Sequence, residues 1–235
     1  MARTVIVGDV HGCRSELERL LSYIGVGPQD QLIFVGDLIG RGPDTLGVVK
    51  LVRKLGAVVV RGNHEHKLLM YRAARQRKQA APRVSRALRE VSERIGEGLS
   101  RWMSEMPYWF DVPEHGVRVV HGGMVPGRKI EETEPGLLVT IRGMTPEGDP
   151  TTARECRLWG ETYAGPPHVV FGHNAGRAPQ IHEWATGIDT GCVYGGSLTA
   201  MVLLPGEQVP STEHRTSVLV SVPAARQYFG VHRQP

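Results

Sequence analysis

The sequence predicts an α/β fold in which two packed mixed β-sheets are flanked by helices and covered by a basic helical cap. Three observations support this prediction. A short apolar run, a loop of polar residues and a helical pattern follow one another three times from the N-terminus. A segment with helical periodicity and excess positive charge comes next, over about 66–106. The remainder is rich in short β-branched runs separated by Gly and Pro turns.

The first three strand-loop-helix units place polar residues at the ends of strands. Strands are predicted over 3–7, 31–35 and 57–60, and the first two helices over 13–24 and 45–55, the second capped near Asp44. Asp9 and His11 follow the first strand, Asp37 the second and Asn63 the third. Because the carboxyl ends of parallel strands share one edge of a sheet, we expect these four side chains to meet there.

The basic segment carries ten basic side chains against four acidic ones between Lys67 and Glu105. A protein that binds nucleic acid in general would spread its charge more widely, so this clustering indicates one local surface that faces an anion. We predict that these helices stand over the site as a cap.

Two later apolar runs, Val117–Val120 and His168–Phe171, end at His121 and at Gly172-His173. Both histidines occupy the position after a strand that the earlier polar residues occupy. Further short runs over 180–183, 186–188, 198–204 and 216–222 predict a second sheet that packs on the first.

The chain of 235 residues contains no linker, repeat or low-complexity tract, so we expect one domain over 1–235 with the cap inserted at about 66–106. Its apolar runs are far shorter than the roughly 18 residues of a membrane span, which predicts no membrane partner. The N-terminus enters a strand without a signal-like leader, so the cytoplasm is the expected location. Cys13, Cys156 and Cys192 share no ligand spacing, which argues against a disulfide framework and a zinc site.

Six side chains are therefore candidates for one metal centre: Asp9, His11, Asp37, Asn63, His121 and His173. Nitrogen and oxygen ligands without thiolate suit manganese, iron, zinc or cobalt better than calcium. Six ligands are too many for one open ion, so we expect two ions about 3.5–4 Å apart with Asp37 as the bridge. Asp9 and His11 would complete one site, and the remaining three residues the other. A water between the ions, acidic enough to be hydroxide near neutral pH, would attack phosphorus in line with the leaving oxygen. The ions and Arg41 would neutralise the negative charge on the equatorial oxygens of that phosphorus.

Five motifs, in this order along the chain, resemble those of the phosphoprotein-phosphatase-type metallophosphoesterases: Gly8-Asp9-Val10-His11-Gly12, Gly36-Asp37-Leu38-Ile39-Gly40-Arg41-Gly42, Gly62-Asn63-His64-Glu65, His121-Gly122-Gly123 and Gly172-His173. The resemblance implies that the six candidates bind the metals and that His64 protonates the leaving oxygen. It also implies a phosphate clamp of Arg41 and a second arginine, for which Arg142 is our candidate, with Asn63 adding to substrate binding. Two Mn²⁺ ions are the expected cofactor, with Co²⁺, Mg²⁺, Fe²⁺ or Zn²⁺ as alternatives.

One departure from the protein phosphatases of this family narrows the expected substrate. They have an aspartate immediately before the motif arginine, where it pairs with the catalytic histidine, and this chain has Gly40. A small residue there, and the segment 187–200, resemble the bacterial symmetrical diadenosine tetraphosphatase branch. Glu65 and Asn174 stand where enterobacterial members have aspartate and tryptophan, which leaves the contacts to nucleotide bases open.

The resemblance implies a metal-dependent phosphohydrolase that cleaves dinucleoside polyphosphates symmetrically, converting diadenosine tetraphosphate and water to two ADP. It also allows RNA 5′ ends capped by a nucleoside tetraphosphate as substrates. The alternative is a protein serine/threonine phosphatase with the same two-metal mechanism. A scaffold that has lost its ions is disfavoured, because no expected ligand is replaced and burying polar groups without a metal is costly. The oligomeric state is left open.

Several aromatic rings are chemically able to stack a nucleotide base, but we interpret them as core or cap packing and predict no base contact. They are Trp102, Tyr108, Trp109, Trp159, Tyr163 and Tyr194.

Overall fold

The computed structural model describes residues 2–230, and its two five-stranded mixed sheets with flanking helices confirm the predicted fold class. The strands are β1 (Thr4–Val7), β2 (Gln31–Phe34), β3 (Val58–Val59), β4 (Trp109–Val112), β5 (Val117–Val120), β6 (Gly143–Met144), β7 (Pro150–Thr151), β8 (Arg157–Leu158), β9 (His168–Phe171), β10 (Gln180–Ile181), β11 (Ala185–Gly187), β12 (Ser197–Leu203) and β13 (Leu219–Pro223). The helices are α1 (Arg14–Ile24), α2 (Thr45–Lys54), α3 (Asn63–Gln76), α4 (Arg86–Arg94), α5 (Glu97–Ser104) and α6 (Pro135–Leu138).

The first sheet has the strand order β13-β12-β1-β2-β3. Strands β1, β2 and β3 are parallel, as the three repeated units predict. Strand β12 pairs antiparallel with β1, and β13 pairs antiparallel with β12. The prediction that 198–204 and 216–222 belong to the second sheet is therefore wrong. The central strand β1 needs a hydrogen-bonding neighbour on each side, and a strand's apolar pattern does not specify which sheet it joins.

The second sheet has the order β10-β11-β9-β5-β4, with β5, β9 and β11 parallel. Strand β4 forms an antiparallel hairpin with β5 and was not predicted. A third sheet of β7, β6 and β8 was not predicted either, because strands of two residues are too short to show an alternating pattern.

Side chains from both large sheets form the layer between them. Ile6 and Ile33 of the first sheet share one buried cluster with Val119 and Val170 of the second. The alternate residues of β1, Val5 and Val7, point to the opposite face and pack in the cluster that contains α1 and α2. The two sheets thus pack face to face, and the loops after their strands are fixed in place by buried apolar residues on both sides.

The basic segment consists of α3, α4 and α5. Leu88, Val91 and Met103 bury its apolar side in the same cluster as α1 and α2. Helix α4 begins at Ser85, whose side chain accepts a hydrogen bond from the Leu88 N–H, and its first residues line the cleft described below. Among residues 2–230, no helix has the length and apolar character needed to cross a membrane.

Candidate active site

The six candidate metal ligands lie at the carboxyl ends of strands from both sheets. Asp9 and His11 follow β1, Asp37 follows β2, Asn63 begins α3 after β3, His121 follows β5 and His173 follows β9. Hydrogen bonds link the loops that carry them, since the His11 N–H donates to the Asp37 carbonyl and the His173 N–H donates to the Asp9 carboxylate. The structure brings all six together.

Asp37 lies at the centre of this set. Its Oδ2 is 3.4 Å from His11 Nε2, and its Oδ1 is 3.5 Å from His121 Nε2. Asp9 Oδ2 is 3.9 Å from the same His11 nitrogen. His11 thus lies on the Asp37 Oδ2 side and His121 on the Oδ1 side, which is the division that a bridging carboxylate requires, and a ligand atom of Asp9 lies within 4.8 Å of both Asp37 and His121.

Asn63 Oδ1 lies between two ring nitrogens, 3.0 Å from His121 Nε2 and 2.9 Å from His173 Nδ1. His121 Nδ1 lies 2.9 Å from the Val35 carbonyl, to which it can only donate. A neutral His121 ring therefore presents a lone pair at Nε2 to the lone pairs of the Asn63 oxygen. A cation held between these atoms turns that repulsion into coordination, so the donor set fits a divalent metal ion.

The protonation preferences of the site fit the same conclusion. Burial raises the pKa of the Asp9 carboxyl, with Asp189 and Asp37 adding to the shift, and burial raises the pKa of Asp37 to about 7. Burial also lowers the pKa of His11 well below its usual value and that of His121 to about 4. The His11 and His121 rings are therefore neutral and each carries a lone pair on Nε2, and the crowded carboxylates favour a compensating positive charge.

Backbone strain is concentrated at the site. Within residues 2–230, five residues other than glycine have positive φ angles, and four of them are His11 (46°), Asp37 (48°), Arg41 (66°) and His173 (65°). Residues other than glycine rarely adopt this backbone conformation. It costs about 1–3 kcal/mol for each residue and persists where the surrounding structure imposes it. The strain aims these four side chains into one space.

His64 lies in the first turn of α3, where its N–H donates to Asp37 Oδ1 over 2.9 Å. Its ring packs edge to face against His11, with centroids 4.7 Å apart, and its Nε2 is 4.0 Å from Asp37 Oδ2. The Nδ1 atom is buried without a hydrogen-bond partner among the described residues, and a Cβ at Gly40 would lie 2.7 Å from it. The described chain therefore offers no substitute for the aspartate that Gly40 replaces, and the His11 ring and the helix backbone orient His64.

Two arginines predicted to clamp phosphate lie beside these residues. Arg41 Nη1 donates to His11 Nε2 over 2.6 Å. Arg142 is partly buried, and its Nη1 donates to Asn174 Oδ1. Asn174 is itself held by Gln180, which donates to its carbonyl over 3.0 Å. The asparagine that departs from the enterobacterial pattern thus accepts from Arg142, which a tryptophan ring at that position is unable to do.

Two buried acidic residues at the site were missed as functional residues in the sequence. Asp189 accepts a hydrogen bond from the Gly191 N–H over 3.1 Å, and its charge adds to the rise in the pKa of Asp9 and of Asp37. It follows strand β11 by two residues, so the rule that identified Asp9 also applied to it. Glu65 is fully buried, and no periodic pattern distinguishes it from an exposed residue near the start of a helix.

Glu65 holds the Asp37 loop against the start of α3. Its Oε2 accepts from the N–H groups of Asp37 and Gly62 over 2.9 and 3.1 Å, and its Oε1 accepts from the Ile39 N–H over 3.1 Å. Burial raises the pKa of Glu65 to about 7, with the Asp37 charge adding to the shift. Glu65 is therefore a support for the site rather than a group that faces the cleft.

We expect Glu65→Ala to lower the free energy of unfolding by about 3–5 kcal/mol, because it leaves three N–H groups buried without an acceptor. Urea unfolding followed by circular dichroism measures this change. Glu18→Ala, on the exposed side of α1, is the matched control and should stay within about 0.5 kcal/mol of the unaltered chain. A similar small effect for Glu65→Ala would contradict the supporting role.

A cleft of about 1730 Å³ opens over the site and is lined by Asp37, Asn63, His64 and His173. Its cationic lining comes from separate segments of the chain: Arg41, Lys67, Arg86, Arg142, Arg154 and Arg177. Pockets for drug-sized ligands have volumes of about 300–1,000 Å³. The cleft is therefore large enough for an elongated anion with several negative charges. Arg154 and Arg177 were not predicted, since a single arginine in a loop is typical of a solvated surface.

Comparison with known proteins agrees with this geometry. The calcineurin-like phosphoesterase family matches residues 2–180. A protein of Halalkalibacterium halodurans named bis(5'-nucleosyl)-tetraphosphatase PrpE (asymmetrical) is 34% identical over 221 residues, which cover 83% of this chain and 88% of that protein. A Janthinobacterium protein named bis(5'-nucleosyl)-tetraphosphatase, symmetrical, is 30% identical over an alignment of 258 residues. The alignment covers 85% of this chain and 92% of that protein. A crystal structure of "a putative diadenosine tetraphosphatase" superposes with a TM-score of 0.79 at 33% identity and covers 95% of this chain and 94% of that one.

Proposed function

Because the chain belongs to the calcineurin-like phosphoesterase family, a family of metal-dependent hydrolases, we propose that it hydrolyses dinucleoside polyphosphates. In the reaction we propose, water attacks one of the two middle phosphorus atoms of diadenosine tetraphosphate. The bond from that phosphorus to the central bridging oxygen breaks, and each half of the substrate becomes ADP. Two divalent ions, when bound by the six ligands, supply Lewis acidity and lower the pKa of a bound water. Manganese is the ion proposed, on the nitrogen and oxygen donor set alone.

The observation that carries this proposal is the cationic lining of the cleft. Beyond Arg41 and Arg142, four further cationic side chains line it, two of them from the basic helices: Lys67, Arg86, Arg154 and Arg177. A phosphate monoester on a protein presents one phosphoryl group, whereas a dinucleoside tetraphosphate presents a chain of four. Arginine is the side chain best suited to bind such phosphate oxygens, through bidentate hydrogen bonds. The lining therefore favours the polyphosphate over a phosphoprotein.

Each polar residue has a distinct role in this proposal. Arg41 and Arg142 bind oxygens of the attacked phosphate and offset the charge that develops on them. Asn174 holds the Arg142 guanidinium in place. His64 donates a proton to the departing phosphate oxygen, and its position is fixed by the His11 ring and by the N–H bond to Asp37.

Symmetrical cleavage requires phosphates to be bound on both sides of the attacked phosphorus. The additional cations come from α3, α4 and two loops, which supports binding beyond the attacked phosphate. Asymmetrical cleavage to ATP and AMP is the second candidate, and the name of the 34% identical relative supports it.

RNA 5′ ends capped by a nucleoside tetraphosphate present the same phosphate chain, and we propose them as a further substrate. We also propose the cytoplasm as the location, on the sequence alone.

We expect diadenosine tetraphosphate to be hydrolysed with a higher kcat/KM than a phosphoserine peptide, and ADP to be the sole nucleotide product. Purified protein supplied with Mn²⁺ is given each substrate in turn, and the nucleotides are separated by anion-exchange chromatography. ATP and AMP in equal amounts would replace symmetrical with asymmetrical cleavage. A higher kcat/KM for the peptide would overturn the proposal in both forms.

A further inference from the structure

We propose that Phe229, supported by Tyr194, stacks against a nucleotide base of the substrate and so forms the nucleoside subsite of the cleft. This inference rests on the proposed function, because it assumes a substrate that carries a base. It concerns a residue close to the C-terminus that lies outside the region matched by the family, residues 2–180.

Phe229 is exposed at a place where an exposed aromatic ring requires an explanation. Within residues 2–230, five large hydrophobic side chains are exposed, and Phe229 is the one among them that lines the arginine-rich cleft. Its exposed fraction is 39%. Leaving a ring in water forgoes the free energy of burying it, whereas a flat aromatic ligand would cover it. A nucleotide base is such a ligand, since every base has a π face.

Tyr194 connects this ring to the phosphate clamp. The Phe229 and Tyr194 rings are 6.2 Å apart between centroids at an interplanar angle of 68°, which is an edge-to-face contact. The Arg41 guanidinium carbon lies 5.4 Å from the centre of the Tyr194 ring, in cation-π geometry. Tyr194 is thus engaged by Arg41 and by Phe229 and is partly buried, whereas the Phe229 ring is exposed. A phosphate held by Arg41 therefore has an aromatic surface within reach of its nucleoside.

The segment that carries Phe229 is anchored, so the ring is held ready for a ligand. The N–H groups of Tyr228 and Phe229 both donate to the Val193 carbonyl over 3.0 Å. Tyr228 donates its hydroxyl to Glu16 Oε1 over 2.8 Å, and the Ala225 N–H donates to the same oxygen over 2.9 Å. Because this order exists before a ligand binds, little entropy is lost on binding.

Glycines keep the space beside the two rings open. Tyr194 lies in a short 3-10 helix between Gly191 and Gly195, which have φ angles of 69° and 87° and line the cleft. A residue with a Cβ is disfavoured at both positions. The backbone therefore turns tightly around Tyr194, and these two positions place no side chain between the aromatic rings and the arginines. A planar base fits this arrangement better than a bulky side chain of a protein substrate does.

The test compares a ligand that has a base with one that lacks it. Titration calorimetry of the Mn²⁺-loaded protein gives the Kd of ADP and of inorganic pyrophosphate. We expect Phe229→Ala to weaken ADP about five- to twentyfold, the lower part of the range for base stacking on an aromatic ring, and pyrophosphate less than twofold. Phe229→Tyr keeps the ring and should bind ADP within about twofold of the unaltered chain. Tyr23→Ala is the matched control, because Tyr23 is an exposed aromatic residue that does not line the cleft, and it should change neither Kd.

The outcomes separate this inference from the proposed function. Equal weakening of ADP and pyrophosphate by Phe229→Ala, or failure of Phe229→Tyr to restore ADP binding, would overturn the nucleoside subsite. An unchanged KM for diadenosine tetraphosphate in Phe229→Ala would overturn it too, while leaving the proposed function intact. If the unaltered protein binds ADP in the manner expected but does not cleave dinucleoside tetraphosphates, the proposed function fails and the subsite stands. Thermal unfolding of each variant, expected within a few degrees, excludes loss of the fold as the cause.

Discussion

Replacing Asp37 with asparagine is expected to lower kcat for diadenosine tetraphosphate by a factor on the order of a thousand or more, and to empty the metal centre. A thousandfold loss corresponds to about 4 kcal/mol of transition-state stabilisation. Both effects have one cause, because Asp37 is the carboxylate proposed to be shared by the two ions.

The geometry around Asp37 explains why no neighbour compensates for it. Its two oxygens face ring nitrogens of different residues, His11 at 3.4 Å and His121 at 3.5 Å. An amide keeps one oxygen and turns an NH₂ group toward the other side, where it offers hydrogens instead of a lone pair. Metal content by mass spectrometry and kcat by product release, measured on the same preparation, check the two parts of the prediction.

Asp44→Asn is the matched control, since it makes the same chemical change seven positions along the chain. Asp44 caps α2 by accepting from the Gly47 N–H over 2.9 Å, and asparagine is an equally good cap. This variant should retain kcat and metal content. If Asp37→Asn also retained its ions and kept a rate within tenfold of the unaltered enzyme, Asp37 would not be the bridging ligand.

Replacing His64 with asparagine is expected to lower kcat about 10²–10⁴-fold, the range for loss of a general acid, without changing the metal content. His64 Nε2 is farther from Asp37 than the ring nitrogens of His11 and His121 are, and His64 lies outside the proposed ligand set. The loss should depend on the leaving group. For phenyl phosphate, whose basic phenoxide departs with a proton, we expect the full loss, and for p-nitrophenyl phosphate, whose leaving group departs without one, a loss of less than tenfold.

His66→Asn provides the control on the same helix. His66 bonds to the Tyr108 hydroxyl over 3.1 Å and lies outside the cleft lining, so its replacement should leave kcat within about threefold. Loss of metal from His64→Asn would show that His64 is a ligand rather than an acid. Equal losses for both substrates would show that it does not protonate the leaving oxygen.

The parts of the fold that were predicted from the sequence are those with a repeated pattern. Strands β1, β2, β5 and β9 are short apolar runs that lie next to or close to a glycine, so their bounds agree with the prediction to within one residue. Helix α2 begins after Asp44 as predicted, because a cap has a chemical signature. The pairing of β12 with β1 was missed, because it depends on contacts between residues 193–199 positions apart that no local pattern records.

The residues of the site likewise divide into those that a sequence pattern predicts and those that it does not. The positions after strands predicted which six residues would meet, and the structure brings them together. Their roles as ligands stay predictions. The residues missed are those defined by tertiary contacts alone. Glu65 accepts hydrogen bonds from three N–H groups, and Phe229 is exposed in the cleft. Trp159 is buried in the core as predicted, whereas Tyr194 packs on the core and also lines the cleft.

Buried Arg215 illustrates why the charge of an arginine alone does not predict whether it belongs to the active site. Only 2% of its surface is exposed, and its guanidinium donates to the Thr186 hydroxyl and to the Pro210 carbonyl. It holds the chain before β13 against β11 and has no part in the site. Its charge alone does not separate it from Arg142, because burial and orientation of an arginine depend on which loops surround it.

The central claim is that six side chains from two sheets hold two divalent ions, and one crystallographic measurement tests it most directly. Crystals grown with Mn²⁺ and measured at the manganese absorption edge should show two anomalous peaks about 3.5–4 Å apart on either side of Asp37. One peak should lie beside Asp9 and His11, and the other beside Asn63, His121 and His173. A single peak, no peak, or manganese at the buried cluster of Cys13, Glu16 and Cys192 instead would contradict the two-metal account.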